Sequence, residues 1–278
     1  MTLKEEITRY YDYTIPFWKV FWHRGTGAIH YGFWDNQTKD LKDALINTNK
    51  VLSEIVQVNA SSKVLDAGSG IGSSSIWMAE NVGCEVVGIT LAPRQKAKAE
   101  TYARAAGVQN KTAFYVMDYS HTDFPNETFD VVWALESVCH EKDKSDFIHE
   151  AYRILKRGGK IIVADGFLKR APHGEHEERT YQVFLKGFVL DNLASVDEFR
   201  SNLASAGFHN IKYFDKTDSI AKTSQLMYEL CKNWYWVNRI ARALRLIPQL
   251  MLDNVRTGIA QFDFFKGPGV YSVFVAEK

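Results

Sequence analysis

Three groups of residues have types and spacings suited to chemistry. In Asp66-Ala67-Gly68-Ser69-Gly70-Ile71-Gly72, an acid stands two residues before a run of three glycines. Each glycine removes a side chain where the backbone must turn sharply or let a ligand lie against it. The run follows the apolar Val64-Leu65 and reopens as a helical pattern through Ile76, Trp77, Met78 and Ala79. N–H groups at such a helix start would meet polar or anionic parts of a ligand. The second group is Glu136 and His140, within Glu136-Ser137-Val138-Cys139-His140-Glu141. If that segment is helical they face one another across one turn, and a carboxylate that orients an imidazole makes a usable base. The third group is aromatic: Tyr10, Tyr11, Tyr13, Phe17, Trp18, Phe21, Trp22, Tyr31, Phe33 and Trp34, interleaved with Asp12, His23 and His30. Ring faces suit a cation or an oily acceptor, and the same rings suit a capping helix packed on a larger domain.

The nicotinamide fingerprint G-x-G-x-x-G would need glycine at 73, where serine stands. Thr90, at the tip of the second strand, replaces the acid that usually holds a ribose. Both features weigh against an NAD-dependent oxidoreductase. The form D-A-G-S-G-I-G resembles the first motif of the class I S-adenosylmethionine (SAM) dependent methyltransferases. Gly88-Ile89-Thr90-Leu91 with Gln95 resembles the G-I-T-L-x-x-x-Q of the tocopherol and sterol subgroup. Tyr11-Asp12 and His30-Tyr31-Gly32-Phe33-Trp34 resemble the paired N-terminal signatures of that subgroup. The segment from Glu136 to His140 is similar to its E-A-T-C-H and E-S-x-x-H forms, and Phe124-Pro125 with Phe129-Asp130 follow in the family's order. The likeness covers residues 10–165 and, more loosely, the remainder.

The resemblance implies SAM as cofactor, with Asp66, Gly68, Ser69, Gly70, Gly72, Thr90, Leu91, Gln95 and Leu135 around it. It also implies that Tyr11 and Tyr31 border the methyl-bearing end. Asp118 ends a third strand, where it could accept from the adenine amino group with Tyr119 beside the ring; a turn or cap role is the alternative. The expected reaction is methylation of a small lipophilic acceptor. Carbon methylation of an isoprenoid or sterol-like alkene is favoured, with Glu136 or His140 taking the proton. Methylation of a phenolic oxygen follows, then of an amine; a non-catalytic SAM-binding protein is the rival from another class. Cys139 has no place in direct methyl transfer and reads as packing. No metal site is expected.

The elements that must position these residues read as strands near 64–66, 84–90, 114–118, 131–135, 160–165, 210–214 and 269–276, alternating with helices. The expected fold is an α/β, Rossmann-like class I methyltransferase: a seven-stranded, mostly parallel sheet with an antiparallel last strand. Residues 1–57 would form a helical cap or lid. Residues 58–278 would form the methyltransferase domain, with acceptor-binding insertions at 166–194 and 217–262. The second insertion carries Leu226, Leu230, Trp234, Val237, Ala241 and Leu244 at helical spacing, accompanied by Arg239, Arg242 and Arg245. This permits contact with a membrane surface, but domain packing and a pocket wall are the favoured reading.

A chain of 278 residues with 46% hydrophobic content supports one large domain with appended parts. A net charge of +1 offers no electrostatic case for nucleic acid. The three cysteines, Cys84, Cys139 and Cys231, are too scattered for a zinc site or disulfide framework. No stretch reads as a transmembrane helix, and the opening residues carry no apolar signal core. A cytoplasmic enzyme is expected, its oligomeric state left open.

Overall fold

The computed structural model describes residues 2–22 and 25–278; His23 lies outside them, as does the side chain of Phe21. Seven strands form one sheet: β1 (Lys63–Ala67), β2 (Glu85–Thr90), β3 (Thr112–Val116), β4 (Phe129–Leu135), β5 (Leu155–Leu168), β6 (His209–Asp215) and β7 (Gly269–Glu277). Their order is β3-β2-β1-β4-β5-β7-β6. Strands β1 to β5 pair in parallel, whereas β7 runs antiparallel between β5 and β6. Parallel strands covered on both faces read as continuous apolar runs, as Val131-Val132-Trp133-Ala134 does in β4. Alternate residues then serve opposite faces. Val64, Val131, Trp133 and Ile162 join one core, and Leu65, Val132, Ala134 and Val163 join the other.

The helices on the second face are α5 (Lys144–Ile154) and α7 (Val196–Ser205), the latter opened by the Ser195/Glu198 capping box. The first face carries α2 (Leu41–Val56) and a layer of α6 (Gly174–Phe188), α8 (Thr217–Ala243) and α9 (Gln249–Lys266). Beside the glycine loop stand α3 (Ser73–Asn81) and α4 (Pro93–Ala105). The chain starts with α1 (Leu3–Phe21), capped by Thr2 and Glu5. It is tied down by Tyr10 Oη, which accepts from Asn254 Nδ2 of α9 at 2.7 Å, and by Asp12, 3.5 Å from Arg94 of α4.

Several boundaries differ from expectation. Strand β3 ends at Val116, so Asp118 does not close it but stands in the turn beyond, bridged to His121. Strand β5 begins at Leu155, before the expected 160. It runs past Asp165 to Leu168, because β7 pairs with it as far as Leu168↔Gly269. The apolar stripe of the second insertion is divided. Leu226 and Leu230 pack against the core, but no residue of α8 beyond Cys231 is buried. Val237 and Leu244 face solvent. Helical spacing identifies a stripe but not how far its partner helix reaches alongside it.

Candidate active site

A cavity of about 440 Å³ runs from the glycine loop to the helical layer, beneath α1. Every expected site residue lines it except Gly72.

At the loop end, Asp66 Oδ2 accepts from Ser75 Oγ at 2.5 Å, and burial pushes the carboxyl up to about 6. The Gly68 and Ser69 N–H groups donate to the Ile89 carbonyl at 3.0 and 2.9 Å. They therefore knit β1 to β2 and do not face a ligand. Gly68, at φ +91°, passes so close to Ser137 that a Cβ would lie 2.4 Å from the serine Cβ. Gly70 is different: at φ +55° it has nothing within 4 Å of its Cβ direction, so its backbone is open to the cavity. Gly72 corrects the sequence reading. A Cβ there would come within 3.0 Å of Ala99 and Phe114, so it is a packing glycine behind the loop.

Thr90 donates to Gln95 Oε1 at 2.5 Å, which leaves the Gln95 amide N–H groups for the cavity beside Leu91. Asp118 Oδ1 accepts the Ser120 N–H at 3.0 Å, and Oδ2 pairs with Lys4 of α1. Both carboxylate oxygens are thus engaged with α1 in place. Tyr119 donates to the Ser137 carbonyl at 2.9 Å and packs edge-on against Phe147, which holds its ring in the wall. Leu135 closes β4 on the same wall.

Glu136 follows β4 at φ +50°, a left-handed conformation that costs of order 1–3 kcal/mol and marks an over-determined site. Its Oε1 accepts the Tyr31 N–H and the Tyr271 hydroxyl, both at 2.7 Å. Burial pushes the Glu136 carboxyl up to about 8, against the pull of those two hydrogen bonds. His140 ends a short 3-10 turn, Val138–His140. Its Nδ1 lies 3.4 Å from the Val189 carbonyl, which can only accept, so Nδ1 carries the proton. Nε2 then accepts from the Tyr11 hydroxyl at 2.8 Å. Burial lowers His140 to about 4 and keeps it neutral.

The expected face-to-face pair does not form. The left-handed backbone at Glu136 breaks the helical turn that would have stacked it on His140. The two side chains belong to separate hydrogen-bond systems on one cavity.

Sequence reasoning missed several residues. Tyr271 comes from β7 and orients Glu136. Gln261 of α9 accepts the Tyr31 hydroxyl at 2.9 Å and fixes that ring. Asp165 is a second buried carboxyl on the cavity; it accepts from the Cys139 and Gly166 N–H groups at 2.9 and 2.8 Å, and burial raises it. Only Asp165 carried a signal, an acid ending an apolar strand. Trp18, Phe184, Met227 and Phe265 complete an oily wall. Two lysines line the cavity: Lys4, paired with Asp118, and the exposed Lys142. The buried Lys144, behind the wall, donates to the Cys139, Glu141 and Asn192 carbonyls. Among the described residues no cluster of His, Cys, Asp or Glu could hold a metal ion.

Residues 65–163 match a family described as the methyltransferase domain. The chloroplastic tocopherol O-methyltransferase of Arabidopsis thaliana is 26% identical across 94% of this chain and 80% of its own length. The 27-O-demethylrifamycin SV methyltransferase of Amycolatopsis mediterranei is 32% identical across 64% of this chain and 65% of its own. Among solved structures, geranyl diphosphate C-methyltransferase from Streptomyces coelicolor A3(2), in complex with Mg2+, geranyl diphosphate and S-adenosyl-L-homocysteine, has a TM-score of 0.76. That match covers 100% of this chain and 98% of that one at 19% identity, a likeness of fold. The open backbone at Gly70 and the free amide of Gln95 suit SAM as the cofactor. Residues 65–163 form a methyltransferase domain, and the chain is a SAM-dependent methyltransferase.

Proposed function

We propose that the enzyme methylates a carbon of a small, uncharged, lipophilic acceptor of isoprenoid or sterol-like type. One observation carries this reading: the acceptor end is walled by rings and aliphatic side chains around two buried carboxyls, Glu136 and Asp165. A prenyl diphosphate would be repelled by these carboxyls wherever they ionise; of the two lining lysines, Lys4 is engaged by Asp118 and Lys142 is exposed to solvent.

In this reading the cofactor lies along Gly70, Leu91, Gln95 and Tyr119, with Asp66, Thr90 and Ser69 supporting the loop from behind. When bound, SAM supplies a methyl group on a sulfonium that is already an activated leaving group. The protein aligns the reactants and keeps water out, through α1 and through Tyr11 and Tyr31. The N-terminal segment to residue 57 thus acts as a cap, and the insertions at 166–194 and 217–262 build the acceptor end. As the alkene carbon forms its new C–C bond, the rings of Tyr31, Tyr271 and Phe265 steady the positive charge left on the neighbouring carbon. Glu136 Oε1 is saturated by its two donors, so Oε2 takes the proton as the double bond re-forms. Nearby positive charge favours the ionised carboxylate needed for that step. The free thiols Cys84, Cys139 and Cys231 accord with a reducing, cytoplasmic setting.

A second reading, methylation of a phenolic oxygen, is favoured by the neutral His140. There the acceptor proton would pass to the Tyr11 oxygen as Tyr11 passes its own to His140 Nε2. Transfer of a labelled methyl group to a panel of neutral prenyl compounds, sterols, phenols, amines and prenyl diphosphates tests both. Label on carbon of a neutral terpenoid is the expected outcome, and exclusive use of a diphosphate overturns the reading.

A further inference from the structure

The outer end of the α8–α9 hairpin has a composition unlike the rest of the chain. Residues 230–252 contain four cations, Lys232, Arg239, Arg242 and Arg245, and no acid. The chain as a whole carries only +1, so the remainder is net negative. Trp236, Ile240 and Leu244 follow one another at intervals of four, with Val237 beside them, which puts them on one side of α8. They are 63%, 60%, 65% and, for Val237, 52% exposed, and Leu246 in the following turn is 73% exposed. Arg239 lies 4.5 Å from the centre of the Trp236 ring.

This end projects beyond the body of the enzyme. Buried positions on α8 stop at Cys231 and on α9 begin at Leu252. Deeper in, the helices are joined by Gln261 Nε2, which donates to the Ser224 carbonyl at 2.8 Å. No helix of the described residues is long and apolar enough to cross a membrane.

We propose that this tip is a docking surface for an anionic lipid bilayer. The aromatic and aliphatic residues enter the boundary between headgroups and acyl chains, and the arginines meet lipid phosphates and carboxylates. Charge selects this occupant over a second copy of the chain. A two-fold pairing of these faces would set the same four cations against one another with no acid from residues 230–252 to neutralise them. The hairpin also carries Met227 and Phe265 into the cavity wall. Met227 and Ile240 are separated by about 20 Å along the helix, so docking would hold the cavity close to the bilayer surface.

The test is co-sedimentation of the whole chain with phosphatidylcholine vesicles, with and without phosphatidylserine. Binding is expected only with phosphatidylserine, and it should weaken as salt rises. Each cation near an anionic leaflet strengthens binding by about fivefold, so the combined Arg239→Gln, Arg242→Gln and Arg245→Gln variant should lose about a hundredfold. Ile240→Ser with Leu244→Ser should also weaken binding, while SAM affinity by calorimetry, which reports an intact fold, stays at the parent value. Failure to sediment with either vesicle overturns the proposal, as does equal binding by parent and variants. A concentration-dependent dimer abolished by Ile240→Glu, without vesicle binding, would assign the face to a second copy.

Discussion

At the glycine-loop end, the cavity wall comes from two short stretches, Asp66 to Gln95 and Met117 to Tyr119, that sit at the ends of adjacent parallel strands. At the acceptor end it is assembled from α1, the segment after β4, α6, α8, α9 and β7. The loop end is held mainly by backbone: Gly68 and Ser69 are tied to Ile89, and glycines allow close approach. The acceptor end is held by side chains reaching across the sequence, such as Tyr31 to Gln261 and Tyr271 to Glu136. A backbone-built site tolerates changes of acceptor without changes of cofactor. The side-chain-built site is where specificity and proton chemistry can vary.

The strongest test of this division is Gly70→Val. The new side chain would enter the open space beside a left-handed backbone, so SAM binding should fall below detection in calorimetry while the protein remains folded by circular dichroism. Unchanged affinity would remove the loop from the cofactor site. Glu136→Gln should do the reverse, retaining SAM affinity while turnover falls by about 10²–10⁴-fold. With Glu136 and His140 in separate hydrogen-bond systems, losses from Glu136→Gln and His140→Ala should multiply; a double variant no worse than either single would restore a joint base. Gln95→Ala removes one neutral hydrogen-bond partner, worth roughly 0.5–1.5 kcal/mol, and should weaken SAM by about two- to tenfold without touching kcat.

The pH dependence of stability separates the two acceptor-end groups. Glu136 holds its proton to about 8 when folded but only to an ordinary 4.5 when unfolded. Its contribution therefore falls as pH rises through that window. His140 is neutral above about 4 when folded, while the unfolded ring protonates below 6.5, so its contribution rises with pH between those values. Urea midpoints for Glu136→Gln should therefore gain on the parent between pH 4.5 and 8 and run parallel above it. Curves parallel throughout would mean that the carboxyl is not held neutral. The smallest effect is expected at Lys4→Met. Lys4 is half exposed beside the partly buried Asp118, and such a surface ion pair contributes about 0.2–1 kcal/mol, so SAM affinity should move by no more than about fivefold.

The same division explains what the sequence could disclose. Asp66, Gly68, Gly70, Thr90, Leu91 and Gln95 lie in contiguous motifs whose strand–turn–helix context is local, and the structure places all of them on the cavity. Gly72 belongs to the same motif but faces Phe114, because a motif records spacing and not which glycine looks inward. Glu136 and His140 were visible as chemistry, but their relation was not. A single left-handed residue reorganises the turn, and no composition rule announces φ +50° at a glutamate. Tyr271 and Gln261 gave no local sign at all. One sits in a strand buried on both sides and the other on a helix joined to Tyr31 across 230 positions.

Strand β7 lies between β5 and β6 although it is made after both. During synthesis, the sheet therefore waits with the edge of β5 exposed and β6 without its hydrogen-bonding neighbour until the segment from Gly269 emerges. Such an intermediate presents open ladder edges and long-range pairing still to be made, features that slow folding and invite association with other chains. Tyr271 arrives with that same strand, so the acid that would handle the proton acquires its orienting partner only at the close of folding. Nascent chains of this enzyme should accordingly lean on chaperones late, and their activity should appear in a single step with completion of the sheet.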